Sequence, residues 1–309
     1  MERWRIRNSI LSILAKNRAG NYMYQLMQKH FGQFNDPDFI RNKIDEINEI
    51  IVFALNNGVI VTDTAVLELG TGWVPLAPVM FSLYGAKSVT SIDINRYYIP
   101  SLLKKTAVTI IDKIENEGIN NSFFSAVDHN KIALLKKYSH KPGPLMEALN
   151  IKLLSPIDAR CTHFPNNAFN LYYSIDTLEH IQPDDIYKIL KESYRIVNEQ
   201  GHFLHSIDLT DHFSYFDDSI TSINFLKFDN IEWNSLCNRY TYHNRLRKSN
   251  YEQIIENSGF KITKKKETEN TRARNELNQG FHINKKFKKM NANMLCIDNL
   301  CFISKKIYL

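Results

Sequence analysis

Apolar residues recur at helical spacing from the start of the chain. Ile6, Ile10, Leu11, Ile13 and Leu14, then Tyr24, Leu26 and Met27, predict helix across residues 3–34. Asn35-Asp36-Pro37-Asp38 is a helix-start signal, with proline near the first turn. The helix it opens carries Ile40, Ile44, Ile47, Ile51 and Leu55 on one face, and Asn56-Asn57-Gly58 ends it, the glycine serving as a left-handed cap. The pattern then alternates. Strands are expected at 64–69, 88–92, near 151–156, at 169–175 and at 202–207. Helices are expected at 75–84 (ended by Gly85), 96–117 (ended by Gly118) and 183–198. Residues 119–150 read as an irregular, partly helical insertion around Pro142-Gly143-Pro144. Strands alternating with helices predict an α/β domain, doubly wound around a mostly parallel sheet covered on both faces.

The end of the chain breaks this pattern. Residues 211–248 are aromatic and polar without periodicity, and a helix at 249–257 stops at Gly259. A strand starts at Phe260-Lys261-Ile262-Thr263. A basic stretch at 261–289 intervenes before the last apolar run, Met294 to Ile303. This predicts a closing pair of strands. With no internal repeat and no low-complexity linker, the 309 residues read as one enlarged domain.

Composition adds little that is specific. The net charge of +6 is too small to count as a nucleic-acid footprint by itself. Cysteines 161, 237, 296 and 301 lack the spacing of a zinc or redox motif and read as reduced thiols, which suits a cytoplasmic protein. No apolar run is long enough for a signal peptide or membrane span, so no membrane insertion is expected.

Candidate chemistry begins at Glu68-Leu69-Gly70-Thr71-Gly72, where the first strand hands over to a helix. Gly70 permits a tight turn, and Gly72 lets the backbone approach a ligand closely. Position 75, where a dinucleotide fingerprint has its third glycine, is Pro75, which suits a first helical turn. Asp93 ends the second strand, where an acid can accept from both hydroxyls of a ribose. An adenosine-containing cofactor is expected, and these features alone leave a nicotinamide or a sulfonium open.

Five segments in order resemble the class I S-adenosylmethionine-dependent methyltransferases. They are the glycine turn, Asp93, Pro156-Ile157-Asp158-Ala159-Arg160, the run from Phe169 to Asp176-Thr177-Leu178-Glu179-His180-Ile181, and the helix and glycine turn from Glu192 to Phe203. Trp73-Val74-Pro75 departs from the commoner Gly-x-Gly-x-Gly form of that family. The resemblance covers about residues 60–210 and the closing strands. It implies a Rossmann-like, seven-stranded sheet whose last strand is antiparallel, with residues 1–58 as an N-terminal helical cap. Residues 59–309 would form the methyltransferase domain, with insertions at 119–150 and 211–248. It also implies S-adenosyl-L-methionine as the cofactor. Gly70, Thr71 and Gly72 would lie beneath its methionine part, with Glu68 near its amino group. Asp93 and Ile94 would hold the ribose, Asp158 and Ala159 would flank the adenine, and Asp176 would face both cofactor and acceptor.

For the acceptor, a hydroxyl gains from a base that removes its proton. The candidates are His180, His205, Asp208, Asp211 and His212, with His180, Asp211 and His212 in the catalytic role. Asp211 and His212 could orient one another as an acid–base pair. The aromatic and amide-rich segment from Tyr215 to Arg247 suits a sugar or another polar ring, or packs as a lid. The arrangement resembles bacterial methyltransferases of surface-glycan or other small-molecule biosynthesis, which implies O-methylation of a small polar acceptor.

The rivals are a nicotinamide dehydrogenase, a module that binds the cofactor without catalysis, and a nucleic-acid methyltransferase. The last would use a phosphate-binding face built from Arg245, Arg247, Lys248, Lys264-Lys265-Lys266, Arg272, Arg274, Lys285-Lys286 and Lys288-Lys289. No Asp/Asn-Pro-Pro-aromatic motif or Pro-Cys nucleophile accompanies them, and nucleic acid is not the expected partner. No residues show metal-ligand spacing along the sequence, so no metal is expected. The oligomeric state is open.

Overall fold

The structure, a computed structural model, describes residues 2–117 and 126–307. The N-terminal segment forms α1 (Arg3–Leu14), α2 (Arg18–Phe31) and α3 (Pro37–Asn56). Asp36 caps α3, its carboxylate accepting from Asp38 N at 3.0 Å, and Pro37 occupies the first turn. Ile40, Ile44, Ile47 and Ile51 are fully buried against the main core, each contributing about 1.5–3 kcal/mol of apolar transfer. Gly58 adopts the left-handed conformation expected of it, at φ 82°.

The alternating region gives β1 (Ala65–Leu69), α4 (Leu76–Leu83), β2 (Ser88–Ile92) and α5 (Pro100–Glu117). Next come α6 (His129–Tyr138), α7 (Pro142–Ala148), β3 (Ile151–Leu154), β4 (Phe169–Ile175), α8 (Pro183–Ile196) and β5 (Val197–Asp208). The last elements are α9 (Asn230–Leu236), α10 (Lys248–Asn257), β6 (Phe260–Glu269), α11 (Thr271–Asn278), α12 (Ala292–Leu295) and β7 (Ile297–Lys306). The strands form one sheet of order β3-β2-β1-β4-β5-β7-β6. Strands β1 to β5 are parallel, and β7 runs antiparallel to both β5 and β6. This is the doubly wound sheet with an antiparallel last strand that the sequence leads one to expect.

Successive side chains of β1 point to opposite faces and enter two cores. Val66 packs with α3, α4 and α5, and Leu67 and Leu69 pack with α8 and α10. A third core joins α1 to the 211–248 segment. Trp4 stacks on Phe213 with ring centroids 4.7 Å apart, and Phe225, Trp233 and Phe287 surround them.

Three boundaries differ from expectation. The described part of 119–150 is mainly helix, α6 and α7, because Asp128 caps one and Pro142 opens the other. Gly118 lies outside the described residues. Strand β5 starts at Val197, five residues before the expected His202, by pairing with Phe169. The basic stretch is not wholly a connection, since Lys264, Lys265 and Lys266 pair with β7 as part of the edge strand. Pairing overrides the missing apolar alternation there, and exposed lysines suit an edge that must not recruit other strands. Among the described residues no helix is long and apolar enough to cross a membrane.

Candidate functional site

Strand order reverses direction between β1 and β4, so a crevice opens there at the carboxyl edge of the sheet. Gly70, Asp93, Asp158, Asp176 and Asp208 all lie at or just beyond the carboxyl ends of their strands. Two other surface clefts, one near Asp63 and Lys87 and one near Asn167 and Asn198, lie at the opposite edge. Neither adjoins the acidic strand ends.

The turn after β1 is built for close approach. Gly70 has φ 94°, and a Cβ there would stand 2.3 Å from Thr177 Oγ1, so the turns after β1 and β4 touch only because this residue is glycine. Gly72 has φ 61°, and a Cβ on it would meet nothing within 4 Å, so its backbone faces open space. Its N–H donates to Asp93 Oδ2 at 3.0 Å, and Asn95 N donates to Asp93 Oδ1 at 2.7 Å. Asp93 is thereby fixed at the crevice with further acceptor positions to spare. Ile94 is exposed beside it. Asp158 stands at the rim, its carboxyl held below the ordinary range by Arg160, while Ala159 is buried.

Glu68 sits beneath the turn. Thr71 Oγ1 and Ser91 Oγ are 2.5 Å apart, and Ser91 donates to Glu68 Oε2, forming a buried chain. Burial pushes the Glu68 carboxyl up from 4.5 to about 8. The folded protein therefore holds a proton that the unfolded chain releases earlier, and its contribution to stability is lost as pH rises from 4.5 to about 8. Glu68→Gln is expected to remove that decline and to be more stable than the wild type above pH 8. Chemical denaturation between pH 5 and pH 9 checks this, and a difference between the two proteins that stays constant over the range refutes it.

At the end of β4, Asp176 adopts φ 47° and pairs with Lys43, which also binds Glu46 Oε1 at 2.8 Å. Despite its burial, Asp176 and Glu46 hold Lys43 above the ordinary lysine range. Burial and the neighbouring Asp176 raise Glu46 to about 6. So α3 reaches into the site, a role the sequence reading missed. The signal was present: Lys43 and Glu46 are polar residues adjoining the isoleucine stripe of that helix.

Beyond Asp176 lies a cluster of imidazoles and carboxylates. His180 Nδ1 is 2.9 Å from Tyr242 O, which leaves Nε2 as the free nitrogen if Nδ1 carries the proton. His212 Nε2 is 3.2 Å from Asp208 Oδ2, and the His180 and His212 ring centroids are 5.0 Å apart. Burial alone would raise Asp208, but the adjoining His212 imidazole and the hydrogen bonds from Tyr215 and Thr210 keep it well below the usual carboxylate range. His243, which the sequence reading did not single out, stacks on His212 at 4.6 Å.

Two expectations are corrected here. The partner of His212 is Asp208, four residues earlier, not Asp211. Asp211 is fully buried, accepts from Phe213 N and Asn224 Nδ2 at 2.9 and 3.0 Å, and is raised to about 6 by burial. It caps the short turn that follows and stands 3.8 Å from His243 Nε2. His205 is a core residue, its Nδ1 2.7 Å from Ser174 Oγ, and burial lowers it to about 3.

The proposed basic face also changes. Arg245 and Arg247 are buried and spend their donors on backbone carbonyls, including those of Phe225, Phe228, Leu209 and Leu295, so neither can reach a phosphate. Lys248, Lys265, Lys266 and Arg274 pair with Glu267, Glu252, Glu49 and Glu269. The aromatics of the 211–248 segment divide. Phe213, Phe225 and Trp233 form the core of the cap that this 211–248 segment makes. Tyr240 instead stacks on Tyr24 at 3.9 Å, close to Trp73, which stacks on Tyr97 at 4.5 Å beside the glycine turn.

A family profile described as a methyltransferase domain matches residues 29–265. No curated protein matches the chain. Among solved structures it is similar to a protein from Pyrococcus horikoshii OT3, at 15% identity and TM-score 0.49 over 91% of this chain and 98% of that one. It is also similar to a SAM-dependent methyltransferase from Methanosarcina mazei, at 12% identity and TM-score 0.43 over 82% and 98%. A third is magnesium protoporphyrin IX methyltransferase from Synechocystis PCC 6803 with bound SAH, at 8% identity and TM-score 0.45 over 86% and 83%.

Proposed function

This chain belongs to the methyltransferase domain family, as an S-adenosylmethionine-dependent enzyme of class I fold, and on that premise we propose that it methylates a hydroxyl of a small polar acceptor, such as a sugar. The observation that carries this reading is the pair of oriented imidazoles at the ends of β4 and β5, with His212 beside Asp208 and His180 against Tyr242 O.

The crevice fits the cofactor. The open space above Gly72 leaves room for it, and Asp93 retains acceptor capacity for ribose hydroxyls. Gly70, Thr71 and Gly72 would lie under its methionine part, Asp93 and Ile94 would take the ribose, and Asp158 and Ala159 would flank the adenine. Glu68 would act from beneath, by holding the turn through Ser91 and Thr71. When bound, S-adenosylmethionine supplies a methyl group on a positively charged sulfur. The chain's residues align an acceptor oxygen with that carbon and help the oxygen lose its proton. Lys43 holds Asp176 where it would face both partners. His180 and His212 would meet the acceptor hydroxyl. The stacked Tyr24–Tyr240 and Trp73–Tyr97 pairs offer flat apolar faces next to hydroxyls, which suits the ring of a sugar.

Asp93→Ala is expected to weaken S-adenosylmethionine binding by about 1–3 kcal/mol, the range for hydrogen bonds to a charged group. Unchanged affinity by calorimetry removes the ribose assignment. The acceptor class is tested by incubating the enzyme with methyl-labelled cofactor and a panel of sugars, sugar nucleotides, phenols and amines. Label in a hydroxyl-derived ether supports the reading; label only on amines overturns it.

A further inference from the structure

Sequence spacing offers no metal motif, but the fold brings Glu179 and His180, from the turn after β4, together with His212, from the turn after β5. One ligand atom from each lies within 4.8 Å of the others. We infer that Glu179, His180 and His212 bind a divalent first-row transition cation at the acceptor end of the crevice.

Glu179 carries the argument. It is 2% exposed, and among the described residues neither carboxylate oxygen has a hydrogen-bond partner. A buried carboxylate without a partner is costly and is normally paired or coordinated to a metal. The side chain is also not placed by accident. Its own backbone oxygen accepts from Asn244 N at 2.6 Å, and Asn244 Nδ2 donates to the oxygens of Leu178 and Ile181, both at 2.9 Å. The cap therefore clamps the turn that presents Glu179 and His180.

The surroundings fit a cation. Asp176, Asp208 and Asp211 lie close by, and the nearest lysine, Lys43, is already shared between Asp176 and Glu46. The His180 ring is held from outside by Tyr242 O, the outer-shell support typical of metal-binding histidines, and the Asp208 carboxylate lies 3.2 Å from His212 Nε2. Two imidazoles and one carboxylate favour zinc, manganese, iron or cobalt over magnesium, and three protein ligands leave positions open for substrate. This deepens the proposed hydroxyl methylation and rests on it for its purpose. A cation there lowers the pKa of a hydroxyl, so with the ion bound His180 and His212 would assist proton loss through it, as its ligands in place of direct bases, and the hydroxyl proton would leave to water.

The test uses the full chain, stripped with a chelator and titrated with Zn²⁺, Mn²⁺ and Mg²⁺ by calorimetry, and with Co²⁺ by visible absorption. Affinity for S-adenosylhomocysteine is measured on the same samples. One equivalent of Zn²⁺ or Co²⁺ per chain is expected, bound more tightly than Mg²⁺. Glu179→Gln and His212→Ala should each weaken binding at least about tenfold, while His202→Gln, a histidine of β5 outside the cluster, should not. No stoichiometric binding to the wild type, or undiminished binding by both cluster variants, overturns the inference. Metal binding without S-adenosylhomocysteine binding would instead count against the functional reading, and the reverse pattern would count against the metal alone.

Discussion

Replacing His212 with alanine is expected to lower kcat by about 10²- to 10⁴-fold, the range contributed by a positioned group that assists proton transfer. Cofactor affinity should change by less than about twofold, because the ring lies past Asp176, away from the glycine turn and Asp93. Asp208→Asn should give a smaller loss in the same direction, since it keeps the shape but not the charge that orients the ring. The pairing is specific. His212 Nε2 is 3.2 Å from Asp208 Oδ2, and that carboxylate is fixed by Thr210 N donating to Oδ1 and Tyr215 Oη donating to Oδ2. Asp211→Asn is the informative contrast. This carboxylate caps a turn and meets Asn224, so its loss should appear in stability before it appears in turnover. If His212→Ala turns over normally with an accepted hydroxyl substrate, the cluster is not where the proton leaves.

The second large effect is on folding. Arg247→Ala should destabilise the protein by about 3–5 kcal/mol, through the cavity left and the carbonyls orphaned. Arg247 is 0% exposed and donates to the oxygens of Leu209, Leu295 and Ile297, so one side chain ties the turn after β5 to the start of β7. Buried without an ion-pair partner among the described residues, it is held below its ordinary pKa by desolvation, to about 10. Each carbonyl it serves would lose its strongest donor in a region closed to water. Urea unfolding should show a lower midpoint with an unchanged slope. A loss under about 1 kcal/mol would mean that water or backbone shifts replace those bonds.

The scaffold was largely legible because its signals are local. The isoleucine stripe of α3, the Asp36-Pro37 start, the glycines at 58, 70 and 85 and the strand at 169–175 each follow from spacing or backbone geometry. The elements that depend on pairing were less legible. β6 runs through Lys264-Lys265-Lys266 because β7 lies beside it, and no alternation in that segment announces a strand. The same division holds for the site. Asp93 and the glycine turn stand on adjacent strand ends, so a motif can reveal them. The Asp208–His212 pair depends on how the chain turns after β5, and two neighbouring acids compete for the same histidine in the sequence. Lys43 and His243 come from an N-terminal helix and a distant cap, and only the folded chain brings them to Asp176 and His212. Arg245 and Arg247 hide their role for a related reason, since a buried arginine bound to carbonyls looks, in sequence, like one more member of a basic surface.

The most direct test is a crystal structure of the protein with S-adenosylhomocysteine. Expected there are ribose hydroxyls on Asp93, the chain of the amino acid over Gly70 and Gly72, and the sulfur directed toward the space between Asp176 and the His180–His212 pair. A cofactor bound elsewhere, or bound with its sulfur facing away from those histidines, would contradict these assignments.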